Sequence, residues 1–183
     1  WLYTFGGTTD DSLTGGCHHN TMMGYVLSSV LTLNFNTFGS GCYSNTFGTD
    51  CSNNTFGNEC YSNTFGNYCS YNKFGDYCWS NTFGNYCEHN EFGDNCDSNT
   101  FGDICDYNTF DDRCYSNTFG NYCYSNTFGD SCQSNTFDNE CNNNAFNVDC
   151  SFNTFGASCY SNTFVGSFKN NTFGNICYSN TFG

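Results

Sequence analysis

The sequence lacks proline, has almost no basic residues and contains no long apolar run. Its 183 residues include three Lys and Arg against 17 Asp and Glu, which gives a formal net charge of −14. Such a chain cannot neutralise a phosphate backbone, so nucleic acid is excluded as a partner. No apolar run approaches the ~18 residues of a transmembrane helix, so we expect no membrane span. The missing proline suits a chain with many β-strands, because proline removes a ladder hydrogen bond from any strand it enters.

A nonapeptide repeat, Cys-x-x-Asn-x-Phe-Gly-x-x, runs from residue 33 to residue 183. Its seventeen copies, the last truncated, all carry Asn at the fourth position and Phe at the sixth. Cys occupies the first position in fifteen copies, and Leu33 and Phe168 replace it in the other two. Because larger apolar residues can replace Cys, we interpret this position as buried and its thiols as reduced. Some disulfides, or a metal or redox role, remain the alternatives.

The pattern within one copy predicts a short strand followed by a corner. Asn and Phe alternate with small polar residues, as in a strand with Asn and Phe inward and Ser or Thr outward. The seventh position is Gly in thirteen copies and Asp111, Asp138, Asn147 or Val165 in the others. Gly, Asn and Asp tolerate a positive φ, so we predict a left-handed corner there, shifted by one residue at Val165-Gly166.

The variable positions recur every 18 residues, which indicates two nonapeptides per coil. Lys73 and Glu91, the charged residues at the fifth position, form an opposite-charge pair at this spacing. The predicted fold is an all-β, right-handed parallel β-solenoid of about 8.5 coils, with a triangular coil of about 27 residues as the alternative. The inward Asn residues form a ladder and the Phe residues a stack, exemplified by Asn45, Asn63, Asn81 and Asn99 and by Phe47, Phe65, Phe83 and Phe101.

Residues 1–32 depart from the repeat. We interpret 1–16 as a lead-in from an upstream domain and 17–32 as a shortened first coil, in which Thr21-Met22 replaces Thr-Phe. Residues 33–183 then form the solenoid. The expected partners are flanking domains of a longer chain, with homo-oligomers or end-to-end stacking of open strand edges as a further possibility.

Catalysis has no support in the repeat. An active site needs unlike residues at unique positions, whereas the repeat places the same residues everywhere, so we predict no enzyme activity and no cofactor. The eighth position offers a carboxylate column that could bind calcium in the manner of nonapeptide rolls, although their Gly-Gly-x-Gly-x-Asp pattern is absent. Solvated corners are the favoured interpretation of this column, which comprises Asp76, Asp94, Asp112 and Asp130.

The outward positions provide candidate binding surfaces. One face carries a Ser-x-Thr grid that resembles the Thr-x-Thr arrays of solenoid ice-binding proteins, although hydroxyl residues also simply suit exposed strands. The grid comprises Ser44, Thr46, Ser62, Thr64, Ser80, Thr82, Ser98, Thr100, Ser116, Thr118, Ser134 and Thr136. Aromatic residues line the two edges, where they could stack on a surface glycan or pack against another chain. They are Tyr43, Tyr61, Trp79 and Tyr115 on one edge and Tyr68, Tyr86 and Tyr122 on the other.

The motif resembles a known group of repeats. The run Cys-Tyr-Ser-Asn-Thr-Phe-Gly-Asn-Tyr at 60–68 and 114–122 is similar to nonapeptide stretches of phage tail-fibre-like and surface proteins associated with gut bacteria. The lead-in Trp1-Leu2-Tyr3-Thr4-Phe5-Gly6-Gly7 resembles the segment that precedes such repeats. The resemblance covers nearly the whole chain. It implies a structural or adhesive rod in a virion tail or at a cell surface, with no catalytic residues to carry over.

Overall fold

The computed structural model describes residues 12–13, 21–22, 34–167 and 169–183, and these residues form strands and turns only. The fold is an all-β parallel β-solenoid of about eight turns, as predicted. Each nonapeptide contributes one strand of two residues. The strands are β1 Ser12–Leu13, β2 Thr21–Met22, β3 Thr37–Phe38, β4 Thr46–Phe47, β5 Thr55–Phe56, β6 Thr64–Phe65, β7 Lys73–Phe74, β8 Thr82–Phe83, β9 Glu91–Phe92, β10 Thr100–Phe101, β11 Thr109–Phe110, β12 Thr118–Phe119, β13 Thr127–Phe128, β14 Thr136–Phe137, β15 Ala145–Phe146, β16 Thr154–Phe155, β17 Thr163–Phe164, β18 Thr172–Phe173 and β19 Thr181–Phe182.

The strands alternate between two sheets. The odd-numbered strands form a ten-stranded parallel sheet and the even-numbered strands a nine-stranded one. From β3 onward, paired residues lie 18 positions apart, as in Thr100↔Thr118 and Phe101↔Phe119. The prediction of two nonapeptides per coil is therefore confirmed, and the 27-residue alternative is wrong.

The solenoid includes part of the segment that the sequence assigns to a lead-in. Ser12–Leu13 pairs with Thr37–Phe38, and Thr21–Met22 pairs with Thr46–Phe47, so Met22 does stand in register with the Phe position. The remaining residues of 1–16 and 17–32 lie outside the described residues.

Two stacks of Phe rings fill the core. Within one stack, Phe83 and Phe101 lie parallel with ring centroids 4.7 Å apart. Between stacks, Phe92 meets Phe101 edge to face at 5.6 Å and 84°. Phe101 is only 2% exposed. Both geometries are favourable for aromatic quadrupoles, so the Phe position contributes more than its buried area alone.

The corners differ from their prediction. Positive φ angles occur at the third and ninth positions, for example at Ser98 (φ 56°) and Ile104 (φ 57°), and the predicted left-handed conformation of the seventh-position Gly is wrong. That Gly is required for close approach between coils instead. A Cβ on Gly102 would lie 2.9 Å from the carbonyl carbon of Gly84 and closer still to Oδ1 of Asn85. In the copy that contains Val165, the positive φ moves to Gly166 (φ 77°).

Candidate functional site

The predicted Ser-x-Thr grid lies on the outer surface of the even-numbered strands, which we call the even face. Thr is exposed in all eight strands from β4 to β18, so this column extends beyond the predicted grid to Thr154 and Thr172. The Ser residues of the grid are exposed except for Ser44, which is half-buried. The Ser column ends at Ser134, and Phe152 occupies the next third position. The third and fifth positions of the even face carry no charged residue from Ser44 to Thr172. In a chain of net charge −14, this face is a neutral strip of hydroxyl and methyl groups.

The outer surface of the odd-numbered strands, the odd face, is chemically mixed. Its fifth-position column contains Lys73 and Glu91, whose Nζ and Oε2 atoms lie 2.8 Å apart and confirm the predicted ion pair. Its third-position column contains a ring stack of Tyr71, His89 and Tyr107, with centroids 4.7 and 4.9 Å apart. An open groove of about 330 Å³ runs between the two columns. The sequence prediction omitted this ring stack, although its three members also recur every 18 residues.

The predicted aromatic edges form stacks along the axis. Tyr43, Tyr61 and Trp79 stack with centroids 5.0 and 4.5 Å apart, and Tyr68 stacks on Tyr86 at 5.0 Å. Tyr115 lies between Asp97 and Gln133 in its column, and Tyr122 lies between Ile104 and Glu140, so neither extends a stack. Stacked rings cover one another's faces. Tyr61, which is stacked on both faces, therefore directs only its edge outward, whereas the ring at each end of a stack is covered by another ring on one face.

The carboxylate column takes part in a hydrogen-bonded corner ladder. Oδ1 of Asp76 accepts from the backbone N–H of Asp94 at 3.1 Å, and Oδ1 of Asp112 accepts from that of Asp130 at 2.7 Å. Asn67 and Asn85 do the same in the alternate copies. Among the described residues, no group of three or more His, Cys, Asp or Glu side chains is placed to hold a metal ion. The column thus has a structural role, and calcium binding stays a prediction.

The cysteines form two buried columns that run through the core. Fourteen are free thiols, of which Cys177 is half-buried and the rest are buried, and Cys42 is disulfide-bonded. The predicted burial is thus confirmed for thirteen of them, and their reduced state stays a prediction. From Cys60 onward the sulfurs also join coils: for example, Sγ of Cys105 donates to the carbonyl oxygen of Gly84 at 3.4 Å and accepts from the N–H of Cys87 at 3.4 Å. A hydrogen bond with the neighbouring thiol of Cys78, together with burial, raises the pKa of Cys60, which makes it a poor nucleophile.

Four carboxyl groups have a shifted pKa, and of these Glu88, Asp97 and Asp106 are half-buried whereas Asp111 is exposed. Asp97 and Asp106 accept the backbone N–H groups of Tyr115 and Tyr124, each at 2.6 Å. Burial raises the pKa of both carboxyls above the ordinary value. Burial also raises the pKa of Glu88 and Asp111, assisted by the like charge of Asp106 on the former and of Asp94 on the latter. These groups lie within two adjacent coils, with Asp106 and Asp111 in the same nonapeptide.

Comparison with protein-family models, with curated proteins and with solved structures finds no match to this chain. The described residues also contain no helix with the length and hydrophobicity that crossing a bilayer requires. Functional inference therefore rests on the solenoid and its surfaces.

Proposed function

We propose that this chain is a non-catalytic structural rod, a spacer or presentation segment of a phage tail-fibre-like or cell-surface adhesive protein. The observation that carries the proposal is the uniformity of the coils. Each strand from β3 to β17 pairs with the strands one coil below and one coil above, and every nonapeptide from Asn36 to Phe164 buries the same Asn and Phe. Each additional 18 residues therefore lengthen the rod by about 4.8 Å along its axis.

The interior explains how such a rod holds its shape. Three sets of bonds join successive coils: the strand ladders, the buried Asn ladder and the corner ladder at the eighth position. No buried side-chain nitrogen or oxygen among the described residues lacks a hydrogen-bond partner. A chain in which every coil is bonded in the same way resists bending at any one point, as a spacer requires.

The proposal is tested by changing the rod length in the full-length protein. Removing residues 96–113 deletes one coil and brings Cys114 into the place of Cys96. We expect this variant to fold, to be shorter by about 5 Å, and to keep the orientation of everything that follows. Removing residues 96–104 deletes half a coil. Both halves share one pattern, so this variant also folds, but the downstream odd and even faces exchange sides.

Attachment by a terminal domain should survive the whole-coil deletion and fall with the half-coil deletion, because the latter turns that domain by half a revolution. Electron microscopy measures the length, and a host-cell or particle attachment assay measures the function. Loss of attachment on whole-coil deletion, in a protein that remains folded, would contradict a spacer role.

A second candidate function is recognition of ice by the even face. The supporting observation is the uncharged, unbroken Thr column from Thr46 to Thr172, whose side chains are all exposed. Thermal hysteresis of the purified chain tests it. Thr100→Lys interrupts the column and should abolish the activity, whereas Thr109→Lys on the odd face, in the column that already holds Lys73, should not. Absence of hysteresis in the parent chain rules out this function.

A further inference from the structure

The groove on the odd face contains two aromatic faces that are not stacked on each other. Phe35, Asn53 and Tyr71 occupy successive levels of the third-position column, and all three line the groove. Phe35 is 66% exposed and Tyr71 is 57% exposed. One face of Tyr71 is covered by His89, with centroids 4.7 Å apart. The other face of Tyr71 is directed along the column toward Asn53 and Phe35.

The spacing of the coils sets the width of this slot. Rings in the column are 4.7 to 4.9 Å apart per coil, and Phe35 and Tyr71 are separated by two coils. At that spacing, the positions of Phe35 and Tyr71 in the column are about 9–10 Å apart, and the shorter Asn53 side chain lies at the level between them. A planar aromatic ligand in contact with both rings needs only ~7 Å, at ~3.5 Å per contact. A puckered aliphatic ring, which is thicker, fits the available width.

The opposite wall of the groove supplies hydrogen-bonding groups. It consists of Thr55, Lys73 and Glu91, so donors and acceptors alternate along the axis. Lys73 and Glu91 pair with each other, yet their side chains remain 67% and 59% exposed. The net charge of −14 opposes the approach of an anionic ligand. Puckered rings with apolar C–H faces and a rim of neutral hydroxyl groups are pyranose sugars.

We propose that the odd-face groove binds one neutral pyranose unit of a surface glycan, held between the rings of Phe35 and Tyr71 above Asn53. The sugar hydroxyls then face Thr55, Lys73 and Glu91. This site is independent of the rod function and differs from both predicted aromatic edges in the residue between two rings. Here it is the short, neutral Asn53, whereas the edges have the charged Asp97 between Trp79 and Tyr115 and the apolar Ile104 between Tyr86 and Tyr122.

A substitution in the third-position column of the odd face tests the slot directly. Asn53→Tyr fills the slot with a third ring, and the backbone accepts Tyr because Tyr71 and Tyr107 have the same positive φ, 58° and 56°. Ser125→Tyr is the matched control, since it adds a ring beside Tyr107 outside the groove. Phe35→Ala removes one wall. Circular dichroism verifies that each variant is folded.

Saturation-transfer NMR and titration of the full chain provide the measurement. The probes are methyl glycosides of glucose, galactose, mannose and N-acetylglucosamine, with glucuronate as the anionic and p-nitrophenol as the planar comparison. We expect at least one neutral glycoside to receive saturation at its ring C–H protons. Asn53→Tyr and Phe35→Ala should raise the Kd of that glycoside about tenfold or more, whereas Ser125→Tyr should change it less than about twofold. No glycoside binding at about 10 mM, binding insensitive to Asn53→Tyr, or tighter binding of glucuronate or p-nitrophenol would overturn the proposal.

Discussion

The buried Asn is the residue on which the connection between coils depends most closely. Oδ1 of Asn99 accepts from N and Nδ2 of Asn81 at 3.0 and 3.1 Å. Nδ2 of Asn99 donates to the carbonyl oxygen of Cys78 at 3.0 Å and to Oδ1 of Asn117 at 3.1 Å. The position needs a short side chain with an acceptor oxygen and a separate NH₂ donor, and Asn is the shortest that has both. This explains why the fourth position never varies.

Replacing Asn99 with Leu should destabilise the fold severely. Leu approximates the volume but leaves the N–H of Asn81 and the carbonyl of Cys78 without these partners in the core. We expect the free energy of unfolding to fall by about 3–5 kcal/mol in urea denaturation followed by circular dichroism. Thr100→Ala at the exposed neighbouring position is the control and should cost about 0.5 kcal/mol or less. Equal losses in the two variants would show that the ladder is not a stability determinant.

The thiols should react according to their burial. In the folded protein, Cys177 is half-buried and should react with an aromatic disulfide reagent, while the buried thiols from Cys51 to Cys159 should be protected. A hydrogen bond with Cys132 and burial raise the pKa of Cys150, whereas hydrogen bonds with neighbouring thiols lower the pKa of Cys87 and Cys96. The expected protection of the whole column therefore rests on burial. Denaturation without reductant should expose all fourteen free thiols. A denatured count well below fourteen would mean that the columns contain further disulfides.

At the scale of the element, each two-residue strand is too short to be stable alone and is defined by what lies above and below it. The strand N–H of Thr100 donates to Asn81 O at 2.9 Å, and the corner N–H of Ile104 donates to Asn121 O at 3.0 Å. The corner conformation is thus imposed by neighbouring coils. Ile104 adopts a positive φ that a β-branched residue rarely takes, because its N–H is needed there.

Gly102→Ala tests the close approach of the corners. The added Cβ would contact the backbone of Gly84 and the side chain of Asn85 in the coil below, so this corner must move. We expect a loss of about 1–3 kcal/mol in unfolding free energy. Asp111→Gly is the matched control, because it restores the consensus residue at the following corner of the chain, and it should change stability by less than about 0.5 kcal/mol. A neutral Gly102→Ala variant would refute the packing explanation of the repeat glycine.

The sequence predicted what recurs in every copy and missed what depends on neighbouring coils. The invariant Asn and Phe and the 18-residue recurrence of Lys73 and Glu91 were sufficient for the fold, the ladders and the register. The left-handed corners were misplaced because the residues that adopt them, such as Ser98 and Ile104, share no chemical signature. The slot above Asn53 was missed because it is created by a small residue between two rings, and attention to aromatic residues alone does not find it.

At the scale of the whole molecule, acidity dominates the electrostatics. Glu88, Asp97, Asp106 and Asp111 all have a raised pKa in the folded state, chiefly because of burial. A carboxyl group with a raised folded pKa binds its proton more tightly when the chain is folded. Protonation of these groups therefore stabilises the fold. The free energy of unfolding increases as pH falls from neutrality toward the ordinary pKa values of 4.5 for Glu and 3.8 for Asp.

We expect the thermal unfolding midpoint to rise when pH is lowered from about 7 to about 5, as followed by circular dichroism. The double variant Asp97→Asn/Asp106→Asn should reduce the slope while keeping both corner bonds, since Asn142 accepts the N–H of Tyr160 in the same way at 2.7 Å. A thermal midpoint that falls steadily from about pH 7 to about pH 5 would contradict the raised pKa values of these carboxyl groups.

The alternating direction of the inter-coil bonds gives the rod an unusual electrical property. The N–H groups of Thr100 and Gly102 point toward the coil below, where they donate to Asn81 and Phe83, whereas those of Ser98 and Ile104 point toward the coil above. An α-helix aligns all its peptide dipoles and develops partial charges at its ends. Here opposed peptide groups largely cancel within each half-coil. The rod can therefore lengthen by any number of coils without building a macrodipole, and the potential at either end depends chiefly on its side chains.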